Sequence, residues 1–160
     1  MNNSKASFYD AVAKYTHTFN EKNTVKAMGY YSNDAFSITS DSIYGYNNRL
    51  MSLQWDHQFN DKNAGSLIVA NSNYKFNIGY EGNSDNNFDL GFVVDETEAK
   101  FKFTYLHSKA HKFDYGLSAK LYNVQPGYLE PNGENSIVEP QTIAREKARK
   151  PLSIYPIILR

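Results

Sequence analysis

The sequence predicts an all-β chain: a consecutive antiparallel meander of about six to seven long strands, forming an open segment of a larger transmembrane β-barrel. Three observations carry that expectation. Apolar and polar residues alternate with a period of two over long stretches. A turn-rich phrase is written twice, as HTFNEKN at 17–23 and HQFNDKN at 57–63. The chain holds 13 Tyr and 10 Phe, with Asn, Gly and Ser in place of the Leu and Ala of a helical bundle.

The strands can be justified in order. In 7–19, Tyr9, Ala11, Ala13, Tyr15 and Phe19 share one side; 24–32 alternate more weakly. In 49–59, Met51, Leu53, Trp55, His57 and Phe59 oppose Ser52, Gln54, Asp56 and Gln58. Between 66 and 81 the even positions carry Ile68, Ala70, Tyr74, Phe76, Ile78 and Tyr80, and the odd positions turn polar after Val69. Phe88, Leu90, Phe92 and Val94 are apolar at even positions, but Ala99, Phe101, Phe103 and Tyr105 are apolar at odd ones. A β-bulge within Asp95–Glu98, or a break into two strands, would reconcile the two phases. Finally, Phe113, Tyr115, Leu117, Ala119 and Leu121 oppose Lys112, Asp114, Gly116, Ser118 and Lys120.

The connections alternate in length. Short turns are expected near 20–23, 60–63 and 108–111, where Asn, Asp and Ser can bond their own backbone. Long loops are expected near 33–48, 81–87 and 125–147. Short turns on one edge and long loops on the other describe outer-membrane barrels. A soluble β-sandwich also alternates apolar and polar residues, but its turn signals recur about every 8–12 residues. The longer alternation here suits tilted spanning strands.

Composition narrows function. Seventeen basic residues balance seventeen acidic ones, so no overall charge draws the chain to nucleic acid. There is no cysteine, which excludes disulfides, thiolate metal sites and cysteine nucleophiles. No apolar run reaches the roughly 18 residues of a spanning helix. The opening MNNSKASFYDAVAKY has no apolar export core, so an exported protein would need sequence ahead of it. Six or seven strands fall short of the about eight that the smallest bacterial barrels use, so the chain is expected to be part of a larger one.

With the strands placed, the chain resembles the barrel of TonB-dependent outer-membrane receptors of the Bacteroidetes type. The residues that carry the resemblance are LMSLQWDHQFNDKN, NFDLGFVVDETEAKFKFTYLHSKAHKFDYGLSAKLYNVQPGYLEP and IAREKA. Trp55–Lys62 matches a W-x-H-x-F-x-x-K strand end, AHKFDYG at 110–116 a strand start, and VQPGYLEP at 124–131 a loop entry, with Gln125 where the family often has Asn. Order and spacing, rather than any single motif, make the match, which covers most of 7–148. Residues 1–148 are thus expected to form a partial outer-membrane barrel. Residues 149–160, RKPLSIYPIILR, depart from the family's next strand, as a truncated or frame-shifted ending would, and Pro151 and Pro156 would each remove a ladder donor.

The resemblance implies energised uptake across a bacterial outer membrane of a siderophore, haem, cobalamin, glycan or peptide. The family's plug would gate the barrel and TonB would supply the force. The implied partners are outer-membrane lipid and, in the full receptor, TonB and a small nutrient, with no nucleic acid. Neither enzyme activity nor a cofactor is expected. The alternative is a non-transport surface β-protein such as an adhesin or sugar-binding domain.

Few residues suggest a site. His17, His57, His107 and His111 lie at the short turns of separate hairpins, where amphipathic rings mark a membrane interface. Asp95, Glu96 and Glu98 lack the Gly-supported loop of a calcium site and read as a solvated strand end. Tyr44, Tyr46 and Tyr128 fall in the expected outer loops and are the candidates for stacking on a sugar or aromatic ligand.

Overall fold

The computed structural model describes residues 4–39, 41–82, 84–142 and 146–159. It is all-β. Strands β1 (Lys5–Asn20), β2 (Asn23–Thr39), β3 (Ser42–Asn60), β4 (Asn63–Tyr80), β5 (Phe88–Leu106) and β6 (Lys112–Pro131) form one antiparallel meander in sequence order. β7 (Gln141–Thr142) and β8 (Glu146–Leu159) both pair with β6, at its upper and lower parts, and together supply a seventh strand position. A short 3-10 turn, Ser84–Asn86, interrupts the β4–β5 connection. Among the described residues β1 pairs only with β2 and β8 only with β6, so the sheet is open.

The repeated phrase makes the same turn twice. Asn20 Oδ1 accepts from the Lys22 backbone N–H at 3.0 Å and from Asn23 Nδ2 at 2.9 Å. Asn60 Oδ1 does the same with Lys62 and Asn63, at 3.0 and 2.9 Å. No described non-glycine residue has positive φ, so these are not the primed turns usual in two-residue hairpins. Instead the register shifts beside each turn, leaving Phe19 and Phe59 as the extra residue of a bulge. Neighbouring turns share an edge: the Gln58 N–H donates to Lys22 O, and the Leu106 N–H to Lys62 O.

Several expectations change. Residues 33–48 are not a long loop. β2 and β3 stay paired to Phe36↔Tyr44 and again at Thr39↔Ser42, so the two strands run antiparallel almost to their ends. The polar run there concealed the alternation of Phe36 and Ile38 with Ser and Thr, which an extended strand accepts. Nor is there a bulge in Asp95–Glu98, for β4 and β5 pair without a shift from Asn63↔Tyr105 to Tyr80↔Phe88. The long loop at 125–147 is also shorter, because β6 continues to Pro131.

Three prolines sit at register shifts. Pro126 and Gly127 lie between the pairs Val93↔Gln125 and Gly91↔Tyr128. Pro151 falls between the pairs Lys120↔Lys150 and Ser118↔Ser153, and Pro156 between Gly116↔Tyr155 and Asp114↔Ile158. A bulge leaves a residue unpaired, so each proline's missing N–H costs no ladder bond. Residues 149–159, the stretch that departs from the family's next strand, lie within β8; residue 160 is outside the described residues.

Because registers from β1 to β5, and β6 up to Gln125, join residues of equal parity, the sheet has an odd face and an even face. Along β3 the odd positions Arg49, Met51, Leu53 and Trp55 are exposed while Ser52, Gln54 and Asp56 are half-buried. In β6, Tyr115, Leu117, Ala119 and Leu121 are exposed while Gly116 and Ser118 are buried. The more open side of this half of the sheet is therefore its apolar side. Among the described residues no hydrophobic side chain is buried; the buried polar ones are Ser32, Ser118 and Gln125.

Candidate functional site

The sheet divides across the middle of its strands. In the half nearest the short turns, the odd face is an apolar belt. Same-face neighbours run Tyr15, Ala27, Leu53, Val69, Ala99 and Ala119, and next to them His17, Val25, Trp55, Leu67, Phe101 and Leu117. Toward the turns the belt becomes aromatic. Phe59 stacks on Phe103 with centroids 5.9 Å apart, and Phe103 on Tyr115 at 5.5 Å. His17 and His57 meet the bulged Phe19 and Phe59 edge-on at 4.5 and 4.6 Å, a second geometry the repeated phrase makes twice. Asn23 Oδ1 accepts from Trp55 Nε1 at 3.1 Å and lies 2.8 Å from His57 Nδ1, so both ring nitrogens have a partner at the rim.

The belt's far edge drifts. It lies at Tyr9 on β1, Tyr31 on β2, Met51 on β3 and Val69 on β4, each nearer the turns than its predecessor. A belt oblique to the hydrogen-bond rows is what strands tilted to a common plane produce.

The even face of the same half is mostly polar, with Ile68 and Ala70 among the exceptions, and several of its charges pair with one another. Asp56 accepts from Lys26 Nζ at 2.7 Å, Gln54 Nε2 at 2.7 Å and Ser66 Oγ at 2.5 Å. Lys120 pairs with Glu96 at 2.6 Å and Lys100 with Glu98 at 3.1 Å. Thr104 donates to Asp114, which also pairs with Lys112 at 3.0 Å.

In the other half the arrangement inverts. The odd face is polar, with Asn33, Asn47, Asn73, Lys75 and Asn77, and the even face carries an aromatic row. Phe36 stacks on Tyr44 at 5.0 Å, Tyr46 meets Phe76 at 5.0 Å, and Phe76 meets Phe92 at 5.4 Å. This row crosses β2 to β5. The two remaining connections meet beyond its β4–β5 end: the Asn132 N–H and Ser136 Oγ donate to Asn87 O, and the Ile137 N–H to Asp85 O.

The candidate ligand residues are thus corrected in place. Tyr44 and Tyr46 lie in β3 and Tyr128 in β6, all in strands rather than loops. Tyr44 and Tyr46 come together on the even face beside Phe36. Tyr128 does not join them. It is paired with Gly91 on the odd face, and its hydroxyl would lie 2.6 Å from a Cβ at that glycine. The residues that sequence reasoning left out of this cluster are Phe36, Phe76 and Phe92. The signal for Phe76 and Phe92 is the even-position phase at 74–80 and 88–94, whereas Phe36 falls in the stretch 33–48 expected to be a loop.

Comparison with protein-family models, with curated proteins and with solved structures finds no match to this chain.

Proposed function

We propose that this sheet is a wall segment of an outer-membrane β-barrel of the TonB-dependent receptor kind. Such a receptor takes up a scarce small nutrient, with the force supplied by TonB, and this segment contributes wall rather than chemistry. The observation that supports the reading is the inverted exposure of the turn half. Met51, Leu53 and Trp55 are 61%, 54% and 45% exposed, while the polar residues between them are the shielded ones. In water an open apolar face of this kind is an aggregation hazard. In a bilayer it is the surface that lipid covers.

Dimensions agree with that use. The apolar stretch of β3 runs from Met51 to Phe59. Nine residues extend about 30 Å along a strand, or about 21–25 Å in height at a tilt of 35–45°, against an apolar band of about 25 Å in such barrels. Tyr and Trp at the belt's edges suit the interfaces. The choice of receptor kind rests on the resemblance of Trp55–Lys62, 110–116 and 124–131 to that family.

Trp55, the sole tryptophan, reports directly on the assignment. In vesicles with brominated acyl chains its emission is expected to be quenched, and aqueous iodide is expected to have little effect. Full iodide access without bromine quenching would reject the membrane wall and favour a soluble surface protein such as an adhesin or sugar-binding domain.

A further inference from the structure

Two cations stand apart on the odd face beyond the apolar belt, Arg49 one same-face position past Met51 and Lys75 three past Val69. Arg49 is two residues from Met51 on the same face of β3, and Lys75 lies on β4. The pairs Asn47↔Lys75 and Arg49↔Asn73 put these four residues at the corners of a square, with the cations on one diagonal. Diagonal same-face neighbours in an antiparallel pair are about 7–8 Å apart, within reach of two long side chains converging on one anion.

The other two corners are occupied. Asn47 Nδ2 donates to Tyr31 Oη at 2.7 Å and to Ser32 O at 3.2 Å, and Asn73 Nδ2 donates to Asp95 Oδ1 at 2.6 Å. Arg49 and Lys75 are exposed, and among the described residues no carboxylate pairs with either. Glu130 lines the same shallow depression as Lys75, and Asp95 is two strands from Arg49, but neither forms an ion pair with them. On the even face, by contrast, Lys26, Lys100 and Lys120 each have a carboxylate partner.

We propose that Arg49 and Lys75 form a clamp for the phosphate of an anionic lipid headgroup. The inference rests on the membrane-wall reading. If lipid covers Met51, Leu53 and Val69, Arg49 is the next position outward on β3 and meets the headgroup layer, and Lys75, farther out on β4, reaches the same anion across the diagonal. A phosphate there finds two unpaired cations, one of them a guanidinium able to bond two of its oxygens. Long basic side chains also lay their stems on the apolar edge below while the charge stays in the polar layer.

The test is binding of the full chain to vesicles of phosphatidylcholine alone and of phosphatidylcholine with phosphatidylglycerol, at low and high salt. The unaltered chain is expected to prefer the anionic vesicles. The R49Q/K75Q double variant is expected to lose about tenfold or more of that preference at low salt, with unchanged affinity for phosphatidylcholine. K14Q/K102Q removes the same charge from the even face and is expected to keep the preference. R49K/K75R, which keeps both charges, is also expected to keep it, separating charge from folding. Equal losses in the two glutamine pairs, or no anionic preference in the unaltered chain while phosphatidylcholine binding persists, would overturn the clamp and leave the wall reading standing. Failure to bind either vesicle would overturn both.

Discussion

Strand β3 is apolar at odd positions from Met51 to Phe59 and at even positions at Tyr44 and Tyr46, yet its pairing with β4 is unbroken from Ser42 to Gln58. β4 and β5 do the same. Leu67, Val69, Phe101 and Phe103 lie on one face, and Phe76, Ile78, Phe92 and Leu90 on the other. The two halves of one continuous sheet therefore turn their apolar sides in opposite directions. A strand that crossed a single uniform environment would keep one phase throughout. The reversal teaches that the surroundings change partway along the strands. On the proposed reading, the turn half faces lipid outward and a polar interior inward, and the other half rises beyond the membrane with a polar exterior and an aromatic inner wall.

That contrast can be broken by substitution, with the largest effect expected in the turn half. Leu53→Arg places a charge in the belt and is expected to cost about 2–4 kcal/mol in a membrane-folding titration, whereas Gln54→Arg, one residue away on the polar face, is expected to cost little. Equal costs would remove the assignment of faces.

Glycines sharpen the comparison next. A Cβ at Gly91 would lie 2.4 Å from Phe76 O and 2.6 Å from Tyr128 Oη, but one at Gly29, in the apolar face of the turn half, meets nothing within 4 Å. Gly91→Ala is expected to destabilise the fold by about 1–3 kcal/mol, and Gly29→Ala to stay within about 0.5 kcal/mol. The same titration distinguishes them, and a tolerated Gly91→Ala would mean that neither the Phe76 carbonyl nor the Tyr128 hydroxyl crowds that position.

The smallest effect concerns the aromatic row. A double-mutant cycle on Tyr46 and Phe76, whose rings are 5.0 Å apart, is expected to give a coupling of about 0.5–1.5 kcal/mol. A coupling near zero would show that the two rings are neighbours without mutual stabilisation.

Much of this was legible in the residues. Period-two alternation located β3, β5 and β6, because a half-exposed strand must sort its side chains between two environments. The phrase ending in Asn-Glu-Lys-Asn or Asn-Asp-Lys-Asn located two turns, because the Asn side chain at the first position can accept from the backbone two residues on. Those signals are local, carried by residues a few positions apart.

What the sequence did not decide was how the phases of separate strands combine. The change of phase between Val94 and Ala99 reads as a slip when β5 is considered alone. Only pairing with β4, which reverses at the same level, makes it continuous, since register fixes which side chains share a face. The tertiary structure likewise placed Tyr44 and Tyr46 in a row with Phe36 and Phe76 and set Tyr128 on the other side. It also placed Arg49 beside Lys75, 26 positions on in the chain. These juxtapositions depend on long-range pairing, whereas periodicity along one strand reports only that strand's own two sides.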